Sequence, residues 1–395
     1  MAERLGRLEV GPRTRDMGIA VGLYMLNRVL TLVGPLVRLH GQLDFSKLTY
    51  LSVIWAGIHD DATWYAAIAD KGYWRQVTPF FPAYPTLIHL TQWGTGLNLA
   101  DAGLFVANAF FVLDIYMMIL LGKRVFSHRV GVMAAGLLTL WPVAFFMTSM
   151  YTEPLFIFAI LGSLLACVEN KPIAAGLWGV LAALTRNEGV LLVLPLLGLA
   201  WKDWRASRRL PLRPILGIGL VAGGTLLYMF YLLARYHNPL VFVSEEHLWG
   251  RQFLVPWLTL WHGFAALPWL LEHTTWAGRV YYLLQVGGVI VALATLPWAW
   301  TRVPHSWFWF LAFMIVIPLS DPGTGVETIV MRPRHIEDYF FSFARFTLPM
   351  IPLFFVLAQG LAKWRHSWAR NLVFGLSSAS LALLSIPLDY HIFLG

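Results

Sequence analysis

Apolar runs of helical length recur along the whole chain, separated by short polar connections, and that repetition leaves one broad class of fold open. A hydrocarbon core takes about 20 helical residues to cross. Runs of that length, or close to it, are read at 17–36, 102–122, 130–148, 154–169, 172–185, 189–201, 214–235, 279–300, 306–319, 346–362 and 371–388. They are continuous in apolar character instead of alternating, which excludes a transmembrane barrel. Composition agrees: 58% of the 395 residues are hydrophobic and 13% charged, against roughly 25% charged in soluble domains. The expected fold is all-α, a polytopic helical bundle of about eleven spans forming one integral membrane domain over 1–395. Residues 1–16 carry Arg4, Arg7, Arg13 and Arg15 without an apolar core or cleavage site, and read as a cytoplasmic lead. The single Cys167 lies in an apolar run, which excludes an internal disulfide framework and reads as packing.

A net charge of +8 raises nucleic acid as a partner, but the basic residues fall in short clusters between apolar runs. That is the positive-inside pattern, and it removes nucleic acid. The connections 123–129, 202–213, 301–302 and 363–370 then share one cytoplasmic face with the amino terminus. This parity requires that 79–97, with Pro79, Pro82 and Pro85, form a re-entrant or interfacial helix and not a crossing. The first external loop (37–101) and the loops 236–278 and 320–345 then lie on the extracytoplasmic face, so the chemistry is expected there. In a prokaryote the membrane would be the plasma membrane. The short stretches 172–185 and 189–201 read as a broken pair around Arg186, Asn187 and Glu188, a break tolerated where it lines a cavity or meets other protein.

Polar residues on that external side are the candidates for chemistry. Asp61, Trp64, Tyr65 and Ile68 follow helical spacing, which sets a carboxylate on one stripe with two aromatics. Such a carboxylate can be tuned as a general base, or Asp60 or Asp61 can simply cap the helix. Trp64 and Tyr65 can stack on a sugar ring or belong to an interfacial aromatic belt. Glu153 before Pro154 is a functional acid or a helix start, and Arg186 with Glu188 a substrate contact or a structural brace. His247 and Arg251 stand at i and i+4, and Arg251 can offer a fork of donors to a phosphate. Arg332, Arg334, His335 and Arg345 form an electropositive group that runs against the positive-inside bias, which favours a bound anion over internal salt bridges. His59 with Asp60 and Asp61, or His335 with Glu337 and Asp338, fits no specific metal motif, so no metal is expected. There is no phosphate-binding loop and no dinucleotide fingerprint.

These blocks, in order, resemble a known family. Asp61-Ala62-x-Trp64-Tyr65-x-x-Ile68-Ala69-x-x-Gly72-Tyr73 followed by Phe80-Phe81-Pro82-x-Tyr84-Pro85 is similar to the first external loop of the PIG-V-like mannosyltransferases, of the GT-C superfamily of membrane glycosyltransferases. Tyr151 to Phe156, Leu184 to Arg186, Trp249 to Arg251 and Ser342-x-x-Arg345-Phe346 continue the likeness over nearly the whole chain. The resemblance implies a polyprenyl-phosphate sugar donor, usually mannose, and inverting transfer without a nucleotide or other cofactor to an extracytoplasmic glycan or glycolipid acceptor. It makes Asp61 the general base, although Asp60 stands where the family commonly has tryptophan. Glu153 matches its second acid, and Arg345 the arginine of its closing block. The competing reading is a secondary transporter or flippase of an anionic or lipid-linked substrate, since broken helices and intramembrane charges also mark transport paths.

Overall fold

A computed structural model of the protein describes residues 12–32, 61–323 and 338–389. Its regular elements are helices: α1 (Pro12–Thr31), α2 (Asp61–Lys71), α3 (Ala83–Thr95), α4 (Leu99–Val125), α5 (His128–Thr139), α6 (Glu153–Val168), α7 (Pro172–Thr185), α8 (Val193–Ser207), α9 (Leu212–Tyr236), α10 (Pro256–His273), α11 (Trp276–Arg302), α12 (His305–Leu319), α13 (Ile351–Lys363) and α14 (Ser367–Asp389). Three stretches, Leu99–Val125, Leu212–Tyr236 and Gly278–Arg302, are long and apolar enough to cross a membrane. Glu153–Val168, Pro172–Thr185, His305–Leu319 and Ile351–Lys363 are shorter apolar helices. The protein is a multi-pass membrane protein, but helix length and hydropathy among the described residues account for three of the expected crossings, not eleven.

Proline explains most of the departures from the expected spans. The run 130–148 is not one helix, because α5 stops at Thr139 ahead of the Trp141-Pro142 pair and the chain resumes as a 3-10 turn, Ala144–Met147. The residue before a proline is pushed out of the α region. The run 346–362 is likewise split into a short turn, Phe343–Phe346, and α13, which starts with Pro352 in its first turn. The connection 236–278 is not a plain loop: α10 fills 18 of its residues and leaves Trp257, Trp261 and Trp269 exposed.

The break between α7 and α8 is present as expected, with a 3-10 turn, Asn187–Leu192, between them. Gly189 makes it possible, since a Cβ there would lie 2.3 Å from the backbone of Ala182. The turn therefore folds back onto the end of α7 and holds Arg186 and Glu188 beside it. Next to it, α7 and α9 pack backbone to backbone, and a Cβ on Gly176 would meet the Gly217 carbonyl oxygen at 2.6 Å.

The segment 79–97 forms α3, which ends at Gly96 in the left-handed conformation. It is anchored by the Tyr84 hydroxyl donating to the Gly103 carbonyl (3.0 Å) at the start of α4. On this platform α2 is seated through the edge-on rings of Tyr65 and Tyr84, 5.2 Å apart, and through His89, whose Nδ1 lies 2.9 Å from the Ala69 carbonyl. Asp61, at the first turn of α2, is thereby fixed against the bundle.

Candidate active site

Asp61, Arg186, Arg251 and Arg345 come from four separate parts of the chain and line one cavity of about 190 Å³. A single water needs only about 10–15 Å³ on that scale, so the space accepts a group of sugar size. Trp64, Phe80, Trp249, Ser342 and Phe346 complete much of its wall.

On one side stands Arg345, 6% exposed. Its Nε donates to Glu153 Oε1 at 2.5 Å and its Nη1 to Asp61 Oδ2 at 2.7 Å. The guanidinium lies over the rings of Tyr151 and Phe146, 4.5 and 5.1 Å from their centroids. Burial works against its charge, but the Glu153 and Asp61 carboxylates outweigh that and hold the guanidinium protonated, its pKa well above the ordinary arginine value. Arg345 is presented by the four-residue turn Phe343–Phe346, entered through Ser342 at φ +59°. A non-glycine residue in that conformation costs roughly 1–2 kcal/mol, and such positions cluster where geometry serves a site.

Glu153 does not reach the cavity. It is 1% exposed at the start of α6, and Oε1 also accepts from Arg186 Nη1 at 3.1 Å. Its Oε2 is buried and has no hydrogen-bond partner among the described residues. The expected substrate contact is thus a brace behind the wall, because a carboxylate at that depth is retained only when paired. Arg186 is both brace and wall. It donates to Thr152 Oγ1 (3.3 Å) and to Glu188 (3.2 and 3.4 Å), and it faces the Phe346 ring at 5.2 Å. Burial opposes its charge too, and Glu188 and Glu153 together raise its affinity for the proton.

The two aromatics of α2 separate in role. Trp64 is half-buried against Trp249 (5.3 Å) and Trp74 (6.1 Å) at the cavity wall. Tyr65 also lines the cavity but is mostly buried, and the Phe80 and Tyr84 rings approach it edge-on at 5.1 and 5.2 Å, so most of its ring packs α2 against the bundle. Burial, and then Asp61, raise its phenol above the ordinary range, which keeps it protonated.

His247 and Arg251 do not share one helical face. The turn Glu246–Trp249 is 3-10, not α, and Gly250 at φ +74° ends it, so the i to i+4 relation is lost. His247 is exposed, with Nδ1 2.5 Å from the Ser244 carbonyl three residues earlier, and is not part of the cavity wall. Arg251 does line the cavity. Its Nη1 donates to the Asp321 carbonyl (2.7 Å) and lies 3.7 Å from the Asp321 carboxylate, with Phe341 and Phe346 at 4.8 and 5.4 Å. Asp60, Arg332, Arg334 and His335 lie outside the described residues.

Sequence reasoning passed over Glu246 and Asp321, both on the wall. Burial pushes the Glu246 carboxyl up to about 7, helped by Asp321 and Glu188 and opposed by Arg251 and Arg186. No hydrogen bond or ion pair of its side chain occurs among the described residues. The available signal was that Arg251 needs a counter-charge, but the sequence does not say that the end of α12 supplies it. Among the described residues, no group of three or more His, Cys, Asp or Glu side chains converges as a metal site.

No protein-family model and no curated protein matches the sequence. Among solved structures, the chain is similar to ArnT from Cupriavidus metallidurans bound to undecaprenyl phosphate, at 17% identity and a TM-score of 0.48, covering 85% of this chain and 60% of that one. It is similar to the Archaeoglobus fulgidus oligosaccharyltransferase in the apo form, at 12% identity and TM-score 0.47 over 95% of this chain and 55% of that one. The oligosaccharyltransferase AglB from Archaeoglobus fulgidus, in complex with an inhibitory peptide and a dolichol-phosphate, is similar at 11% identity and TM-score 0.44, again over 95% and 55%. The chain spans 60% or less of the length of these solved chains.

Proposed function

We propose that the protein is an inverting membrane glycosyltransferase of the GT-C type, moving mannose from a polyprenyl-phosphate donor to a glycan or glycolipid acceptor on the extracytoplasmic face. The observation that carries this reading is the position of Asp61. Its Oδ2 is held by Arg345 at 2.7 Å, and its side chain is still 26% exposed at the cavity wall. Oδ1 takes no hydrogen bond among the described residues, which leaves one oxygen of an oriented carboxylate for an incoming hydroxyl.

In this mechanism the acceptor oxygen forms a bond to the anomeric carbon from one side while the bond from that carbon to the donor phosphate oxygen breaks on the other. The acceptor proton passes to Asp61, and the leaving electron pair stays with the lipid phosphate. Among the described residues Arg251 is the cavity cation with most freedom to meet that developing charge, and the sequence offers the Arg332, Arg334 and His335 group as a further candidate. Arg345 is already occupied by two carboxylates and serves chiefly to orient Asp61. One carboxylate suffices for inversion, since no covalent sugar intermediate is formed.

A second reading, a transporter or flippase, has one observation in its favour. Asp114 in α4 is fully buried, and neither carboxylate oxygen has a hydrogen-bond partner among the described residues, and acids at membrane depth often mark transport paths. Transfer from a synthetic polyprenyl-phosphate mannose in detergent separates the two, with wild type beside Asp61→Asn and Asp114→Asn. The transferase reading expects transfer by wild type and by Asp114→Asn and its loss in Asp61→Asn. Equal transfer by wild type and Asp61→Asn removes the proposed base.

A further inference from the structure

The end of the bundle remote from the cavity carries two groups of cations that differ in one respect. Around the α4–α5 connection every cation with a neighbouring acid is paired: Lys123 and His128 with Asp16 (3.4 and 2.8 Å), and Arg124 and Lys171 with Glu169 (3.7 and 2.7 Å). In the α8–α9 connection, Lys202, Arg205, Arg208, Arg209 and Arg213 are exposed, and none is ion-paired among the described residues. One acid, Asp203, stands among these five cations, so the connection keeps a net positive charge.

The unpaired group is also ordered by aromatic stacking. The Trp201 and Trp204 rings lie 5.0 Å apart at 32°, and both are exposed, by 59% and 36%. Arg205 sits over Trp201 at 5.8 Å and Arg208 over Trp204 at 5.0 Å. Arg208 closes α8 in the left-handed conformation, φ 54°, which turns its side chain back over the helix end. Leu197, Leu210, Leu212 and Leu216 around it are exposed by 49, 69, 62 and 61%. Exposed leucines on membrane helices face acyl chains, indoles mark the depth where chains give way to headgroups, and the guanidinium forks stand at that depth.

A guanidinium stacked on an indole keeps its outward N–H groups in a fixed plane, so it can bind a phosphate in a bidentate manner with little further ordering. Basic residues next to a membrane span also attract anionic lipid over a Debye length. We propose that the Trp201–Arg213 connection is a binding site for the headgroup of an anionic phospholipid, with the Arg205–Trp201 and Arg208–Trp204 pairs gripping the phosphate and the other cations selecting excess negative charge. The site is independent of the proposed transferase reading.

The test uses the full chain in bilayers containing a trace of spin-labelled lipid, with the fraction of label immobilised at the protein surface read by electron paramagnetic resonance. Wild type is expected to retain phosphatidylglycerol at least about threefold over phosphatidylcholine, on the scale of the few-fold attraction each surface cation contributes. In Arg205→Gln/Arg208→Gln/Arg209→Gln that preference should fall to near one, and in Arg124→Gln/Lys171→Gln it should remain. Trp201→Ala/Trp204→Ala keeps every charge and should lose most of the preference, which also covers the case where the triple variant does not fold. No preference in wild type overturns the site. So does full preference in the tryptophan variant, which would leave only diffuse attraction, or a spin-labelled polyprenyl phosphate being retained well above phosphatidylglycerol in a manner that needs these arginines.

Discussion

The two cationic sides of the cavity hold their charges in different ways. Arg345 is wedged between Asp61 and the fully buried Glu153, with aromatic rings around it, and its side chain is 7% exposed. Arg251 rests on Phe341 and Phe346, donates to a backbone carbonyl, and has its acid, Asp321, 3.7 Å away and 40% exposed. The first arrangement fixes a carboxylate in place. The second leaves a guanidinium with donor capacity to spare beside a carboxyl, Glu246, that gains its proton near neutral pH. One side holds geometry, the other keeps open donors where the proposed charged ligand would bind, and substitutions should separate them.

The largest effect is expected from Arg345→Ala. It strands Glu153 with one remaining cation and frees Asp61, and breaking such a buried pair costs on the order of 3–5 kcal/mol. Thermal unfolding in detergent should register that loss, and transfer should fall to background. A variant as stable as wild type would mean that the brace is not structural. Asp61→Asn, in contrast, should change the unfolding free energy by no more than about 1 kcal/mol, because its ion pair is partly solvated. Its transfer rate should drop by about 10²–10⁴-fold, the usual contribution of a general base.

On the other side, Arg251→Gln should spare the fold and weaken binding of polyprenyl phosphate by about 10-fold or more, the scale of a hydrogen bond to a charged group. Fluorescence or calorimetric titration with the lipid product would show it, and unchanged affinity would remove Arg251 as an anion contact. The smallest effect belongs to Glu246→Gln and is read through pH. The native carboxyl holds its proton up to about pH 7, whereas an unperturbed glutamate releases it near 4.5. The folded state therefore binds more protons than the unfolded state between those values, and stability falls as pH rises through that window. Glu246→Gln should flatten the part of the midpoint change between pH 5 and pH 8 that this carboxyl causes. It should also abolish any loss of phosphate affinity above pH 7, since the ionised carboxylate beside Arg251 repels an anion. An identical pH profile in the variant would show that Glu246 does not titrate there.

Much of this arrangement was legible in the chain itself, for identifiable reasons. The helical class, the short α3 that follows Pro79 and Pro82, and the break at Arg186 to Glu188 follow from local chemistry, since hydropathy, proline and glycine act over a few residues. The helix that carries Asp61, Trp64 and Tyr65 did too. The split of 130–148 was equally local and is explained by Pro142. What local chemistry does not carry is partnership. That Glu153 would face inward to two arginines, that Tyr65 would be packed by Phe80 and Tyr84, and that Asp321 would answer Arg251 depend on contacts between residues far apart in sequence. The i to i+4 expectation for His247 and Arg251 failed at Gly250, where one left-handed residue changes which side chains share a face.

The sequence by itself determined that this protein lives in a membrane as helices and that its acids and arginines gather in a few polar breaks, because the cost of charge in hydrocarbon limits where such residues stand. Only the tertiary structure decided which carboxylate reaches open space and which is held behind the wall. That choice is made by packing: Asp61 and Glu153 share the same arginine, 2.7 and 2.5 Å from it, yet the helix each begins is seated so that one side chain is 26% exposed and the other 2%.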